Sequence, residues 1–164
     1  MHTQVPGGLL LAIVWYSCSP QCTVHVHITL YPPGANLCMI EGDEELCIGC
    51  RTCEIVCALS LFGESDPEKS AIRISTEPDS TITITVCNQC GECEKVCPEG
   101  AIYLEDDIVR INDKCTGCYI CVEACPAGAL FTHSDVLEPI KCTHCLRCVE
   151  SCPVNALYVL TLER

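Results

Sequence analysis

Basic residues are scarce in this chain, and none stands before Arg51: its 164 residues carry 9 Lys and Arg against 22 Asp and Glu, a net charge of −13. Such a balance repels polyanions, which excludes nucleic acid and anionic membrane surfaces as partners. Aromatic residues make up only 5 %, so a conventional core of large side chains is thin. The longest early apolar run, Gly7 to Tyr16, is too short to span a bilayer, and direct membrane insertion is not expected. No glycine-rich dinucleotide or phosphate-binding loop is present, which removes nicotinamide and nucleotide chemistry. With no charged n-region ahead of that run, a secretion signal is not expected either, and the implied location is cytoplasmic.

What the chain has is cysteine, nineteen of them. Cys87, Cys90, Cys93 and Cys97 follow C-x2-C-x2-C-x3-C with Pro98 directly after, and Cys115, Cys118, Cys121, Cys125 and Pro126 repeat the pattern. Cys142, Cys145, Cys148, Cys152 and Pro153 form a third proline-bearing copy, and Cys47, Cys50, Cys53 and Cys57 a copy without proline. This is the bacterial spacing for paired 4Fe-4S clusters, in which three close thiolates serve one cluster and the fourth reaches the other. A zinc site wants cysteine or histidine pairs split by a longer loop, and a disulfide scaffold wants an oxidising compartment. Sixteen cysteines at four per cluster predict four 4Fe-4S clusters, whose ligation supplies folding energy that the thin core lacks.

Between motifs the sequence alternates as strands do. AIRISTEPDSTITITV (71–86) predicts a hairpin turning at Pro78 and Asp79, and AIYLEDDIVRIN (101–112) one turning at Asp106 and Asp107. ALFTHSDVLEPIK (129–141) and ALYVLT (156–161) read as further strands, and EIVCALSLF (54–62) as a short helix. The expected class is α+β, tandem two-cluster ferredoxin-like units of short hairpins and short helices. Cys97 and Cys115 are 18 residues apart, the reach of one hairpin, while Cys57 and Cys87 are 30 apart. The second and third motifs therefore read as an inner unit, about 87–131, nested in an outer unit of 47–86 plus 132–164. Pairing first with second and third with fourth stays open as the alternative.

The four motifs, with CIGCRTCEIVCALSLFGESDPEKSAIRIS (47–75), resemble the four-cluster ferredoxin-like electron-transfer subunits of multisubunit redox enzymes over residues 44–161. The opening is similar to the small iron–sulfur subunits paired with tungsten or molybdenum aldehyde oxidoreductases, carbon monoxide dehydrogenase, hydrogenase or formate dehydrogenase. The resemblance implies the nested pairing and four ligand sets: Cys47, Cys50 and Cys53 with Cys152; Cys142, Cys145 and Cys148 with Cys57. Likewise Cys87, Cys90 and Cys93 take Cys125, and Cys115, Cys118 and Cys121 take Cys97. Many such subunits carry long insertions in the second and fourth motifs; the compact motifs here favour the soluble members. The resemblance implies a non-catalytic relay of single electrons between a catalytic oxidoreductase subunit, of tungsten or molybdenum aldehyde oxidoreductase type, and a soluble or membrane-bound carrier. Four clusters in so short a chain suggest a wire joining separated sites, and one end, an outer cluster of the first or fourth motif, is expected to face the catalytic partner. The rival functions are a freely diffusing polyferredoxin and an iron–sulfur maturation or thiol-redox component using Cys18, Cys22 and Cys38.

Residues 1–46 read as an N-terminal extension, disordered or foreign to the native protein, since Met39 stands where similar subunits begin. VHVHITL alternates as a strand, so His25 and His27 are not read as metal ligands. His144, inside the fourth motif, is expected to face solvent rather than a cluster.

Overall fold

The computed structural model describes residues 38–161, which belong to one compact unit. It is α+β, as the alternation and the short helical stretch imply. Eight strands form four separate two-stranded antiparallel ladders: β1 (Cys38–Gly42) with β8 (Leu157–Thr161), β2 (Ile72–Thr76) with β3 (Ile82–Val86), β4 (Ile102–Glu105) with β5 (Ile108–Ile111), and β6 (Phe131–His133) with β7 (Val136–Ile140). Four helices alternate with them: α1 (Thr52–Phe62), α2 (Glu92–Val96), α3 (Ile120–Glu123) and α4 (Arg147–Glu150).

Turn chemistry explains the hairpins. Asp106 and Asp107 both take left-handed backbone angles, φ 50° and 61°, which a two-residue turn between right-twisted strands needs and which aspartate tolerates. In the β2–β3 turn the Asp79 carboxylate accepts the N–H of Thr81 at 3.0 Å. Helix α1 ends at Gly63, φ 73°, whose N–H donates to the Leu59 carbonyl at 3.0 Å, a cap that glycine makes without a Cβ penalty.

Strand β1 falls within residues 1–46, the stretch expected as an N-terminal extension. This strand lies ahead of the first motif yet pairs along its length with β8, from Cys38 opposite Thr161 to Gly42 opposite Leu157. Met39 and Ile40 are buried, and the Ile84 N–H donates to the Glu44 carboxylate at 3.0 Å. A Cβ on Gly42 would meet the Ile84 side chain at 2.7 Å, so β1 lies close against β3. Burial of two large apolar side chains and five backbone pairings ties this stretch into the folded unit. Cys18, Cys22, His25 and His27 lie outside the described residues.

Helix packing is nested: α1 packs on α4, and α2 on α3. Two apolar clusters follow that division. The larger holds Ile40, Ile72, Ile74, Ile140 and Leu157 with Cys53, Cys57, Cys142 and Cys148; the smaller holds Ile102, Val109 and Leu130 with Cys93 and Cys121.

Candidate metal centres

Each C-x2-C-x2-C stretch is built the same way. The residue before the second cysteine and the residue after it are left-handed: Gly49 and Arg51, Gln89 and Gly91, Gly117 and Tyr119, His144 and Leu146, with φ between 57° and 76°. Alternating hands turn successive N–H groups to one side, a concavity suited to an anion. The third cysteine then enters a helix and is buried, as Cys53, Cys93, Cys121 and Cys148. Five of the eight left-handed positions are not glycine. Such angles cost about 1–3 kcal/mol each and persist only where their surroundings enforce them. The Gly117 position is also tight, since a Cβ there would meet the Leu137 side chain at 2.7 Å.

The fourth cysteines share a second device. The Sγ atoms of Cys97, Cys125 and Cys152 each accept the N–H of an alanine four residues on, Ala101, Ala129 and Ala156, at 3.3, 3.4 and 3.2 Å. The turn is closed by left-handed Gly100, Gly128 and Asn155. Cys57 lacks the proline and runs on through α1, yet its Sγ accepts the N–H of Ala71 at 3.3 Å, across an excursion of fourteen residues. All four alanines are 0–1 % exposed, so no larger side chain fits. Sequence reasoning used the prolines and overlooked these alanines, although CPEGA, CPAGA and CPVNA carry them in plain view.

The thiols converge across motifs. One cavity, about 300 Å³ including its open mouth, is lined by Cys87, Cys90 and Cys93 together with Cys125. Another, about 320 Å³, is lined by Cys142, Cys145 and Cys148 together with Cys57. Cys97 lies near enough to Cys115, Cys118 and Cys121 to act on the Cys121 thiol. Cys47, Cys53 and Cys152 all pack in the larger apolar cluster. Among the described residues no three Cys, His, Asp or Glu side chains converge as a single metal ion requires. Wide-set thiols around a void suit an all-sulfur, multi-atom group.

Burial pushes the Cys53 and Cys148 thiols up to about 12, and those of Cys93 and Cys142 up to about 11. Neighbouring thiolates add to the rise. Cys148 feels Cys142, Cys57, Cys145 and then Cys53, and Cys142 feels Cys87. Thiolates in these positions need positive charge, which bound iron brings. Toward solvent the balance reverses: the hydroxyl and N–H of Thr52 hold Cys50 below the ordinary thiol range. Against a burial effect, N–H groups of residues 99–102 do the same for Cys97.

His144 departs from the expectation of a solvent-facing residue. Its N–H donates to the Cys142 Sγ at 3.4 Å, and its Nε2 is buried without a hydrogen-bond partner. Burial, and then Lys141, hold its pKa below the ordinary histidine value.

Comparison with known proteins shows the family. The model of the 4Fe-4S dicluster domain matches three times, over residues 46–101, 86–129 and 114–156; each match spans two adjacent motifs, and together they cover most of the sequence. There is 40 % identity over 80 residues to the electron transport protein HydN of Escherichia coli (strain K12), which is 44 % of this chain and 46 % of that protein. To the hydrogenase-4 component A of Escherichia coli (strain K12) the identity is 38 % over 70 residues, 41 % of this chain and 33 % of that protein. These matches thus span between a third and a half of the length of the curated relatives. A protein of the active-site complex BamBC of benzoyl coenzyme A reductase, in complex with benzoyl-CoA, aligns with a TM-score of 0.47 at 23 % identity, covering 78 % of this chain and 81 % of that one. With sixteen cysteines in dicluster spacing and their thiols gathered around shared cavities, the protein belongs to the family of 4Fe-4S dicluster domains.

Proposed function

We propose that this chain is a four-cluster electron relay, a non-catalytic iron–sulfur subunit serving an oxidoreductase complex. The observation that carries the reading is the crossing of cysteines: each of two adjoining cavities takes three thiols from one motif and the fourth from another. Cys87, Cys90, Cys93 and Cys125 would hold one cluster, and Cys142, Cys145, Cys148 and Cys57 a second. Cys115, Cys118, Cys121 and Cys97 would hold a third, and Cys47, Cys50, Cys53 and Cys152 the fourth. Bound 4Fe-4S clusters supply one-electron redox chemistry at potentials that the protein sets through hydrogen bonds, charge and exposure.

In this reading the sites would stand in a row: α1 packs on α4, Cys142 and Cys87 share the larger apolar cluster, and α2 packs on α3. The order is first, fourth, second, third. On this order the first and third motifs would stand at the ends of the relay, with the fourth inside it. Both ends reach solvent through exposed Cys50 and Cys118. Ile48, 62 % exposed, stands beside Cys50 and offers an apolar contact where a partner would dock.

The catalytic partner we favour is of the tungsten or molybdenum aldehyde oxidoreductase type, on the compact second and fourth motifs and the segment after Cys57. The names of the relatives, an electron transport protein and a hydrogenase component, support a relay within an oxidoreductase complex. A cytoplasmic location belongs to the same reading; among the described residues no helix is long and apolar enough to cross a membrane.

The net charge of −13 predicts how the reduced protein meets an acceptor. Mixed in stopped flow with hexaammineruthenium(III), a cationic oxidant, the dithionite-reduced chain should be oxidised rapidly, with a rate that falls severalfold as salt shortens the Debye length from about 30 to 8 Å. A reduced protein that kept its electrons from every small oxidant would end the relay reading.

A further inference from the structure

Lys141 and Gln89 are buried together where the two cavities meet, 7 % and 3 % exposed. Lys141 ends the segment after β7 and lines the cavity of Cys87, Cys90, Cys93 and Cys125; the next residue, Cys142, lines the other cavity. The Lys141 Nζ donates to the Gln89 Oε1 at 2.7 Å and to the Cys142 carbonyl at 3.1 Å. The Gln89 Nε2 donates to the same carbonyl at 3.3 Å, and its Oε1 also accepts the Val109 N–H at 3.1 Å. The left-handed backbone of Gln89, φ 58°, holds this arrangement from inside the second motif. Among the described residues Lys141 forms no ion pair; the salt bridges belong to Lys69, Lys95, Arg110 and His133.

A buried ammonium without a carboxylate is costly unless some other negative charge compensates it. The groups facing it are the thiols of the two cavities. Lys141 lines the first cavity and its Nζ holds the carbonyl of Cys142, which lines the second, so its charge lies against both sides of the wall at once. Gln89 is neutral and offers one oxygen, which orients the ammonium without cancelling its charge.

We propose that Lys141, positioned by Gln89, is a fixed cation in the wall between the two central cluster sites that raises the reduction potential of both relative to the two end sites. The inference rests on the four-cluster reading above. Reduction adds one electron to a site, making it more negative, and a nearby cation stabilises that added charge. Electrons entering from either end would then collect in the middle of the row, holding the interior sites reduced while the ends exchange with partners. Lys141 is a positioning residue of charge: it touches no substrate and ligates nothing.

The test is a redox titration of the full chain followed by electron paramagnetic resonance, with iron content measured on the same samples. In Lys141→Gln two of the four one-electron waves should move to lower potential by at least tenfold in the reduction equilibrium, about 59 mV, and the other two should stay. Gln89→Glu gives a second reading that keeps the lysine: a carboxylate at the Gln89 position neutralises the ammonium, so the same two waves should fall. Lys141→Arg, which keeps the charge, should leave the waves near their original positions. Four unmoved waves in both Lys141→Gln and Gln89→Glu, or a uniform shift of all four, would overturn the proposal. Fewer than four waves in the unmodified protein would sink the four-cluster reading instead, and the shift or constancy of the waves present would still decide the role of Lys141.

Discussion

Removing iron from the anaerobic protein with a chelator should abolish the cooperative fold, with loss of secondary structure followed by circular dichroism and restored only when iron and sulfide are returned. Among the described residues 21 apolar ones are buried, of which seven are cysteines and five are alanines. Alanine buries little area, and the buried thiols converge on cavities rather than on one another. The motif loops add a cost: Arg51, Gln89, Tyr119, His144 and Leu146 are held left-handed, together roughly 5–15 kcal/mol at about 1–3 each. That is the size of a whole domain's net stability, about 5–15 kcal/mol. Metal ligation must offset it, as in small domains that fold only with their metal. A protein that kept a sharp unfolding transition after complete iron removal would show that the hairpins and apolar clusters suffice.

Replacing Cys57 by Ser should strip iron from the site of the fourth motif rather than from the second. Cys57 shares its cavity with Cys142, Cys145 and Cys148, and the Ala71 N–H points its sulfur there. Serine is a poor ligand for iron in an all-sulfur site, so content should fall from about sixteen irons to about twelve per chain. Pairs of substitutions separate the two possible nestings, because changes at one site are not additive while changes at two sites are. Cys57→Ser with Cys148→Ser should still lose only about four irons, and Cys57→Ser with Cys93→Ser about eight. The opposite pattern would mean that adjacent motifs share their clusters.

The cysteine spacing, the hairpin turns at Asp79 and at Asp106–Asp107 and the helix expected over 54–62 were legible because each depends on residues near in sequence. Strand β1 was not. Its five residues, CMIEG, carry no turn signal and find their partner more than a hundred residues away, and local alternation says nothing about such a pairing. The inward placement of His144 escaped for a related reason: nothing in C-T-H-C says which way the ring turns, and the left-handed backbone and the neighbouring Lys141 decide it. Gln89 is the sharper case. Within C-N-Q-C it reads as an ordinary loop amide, and only the approach of Lys141, 52 positions away, makes it a buried bridge.

The most direct test of the relay is to count iron, sulfide and electrons on one anaerobic sample. Sixteen thiols in the four motifs predict about sixteen irons and sixteen sulfides per chain, four per cluster. Coulometric reduction should then take up about four electrons per chain and release them on reoxidation. About eight irons with two electrons after full reconstitution, or sixteen irons that accept no electrons reversibly, would contradict the account.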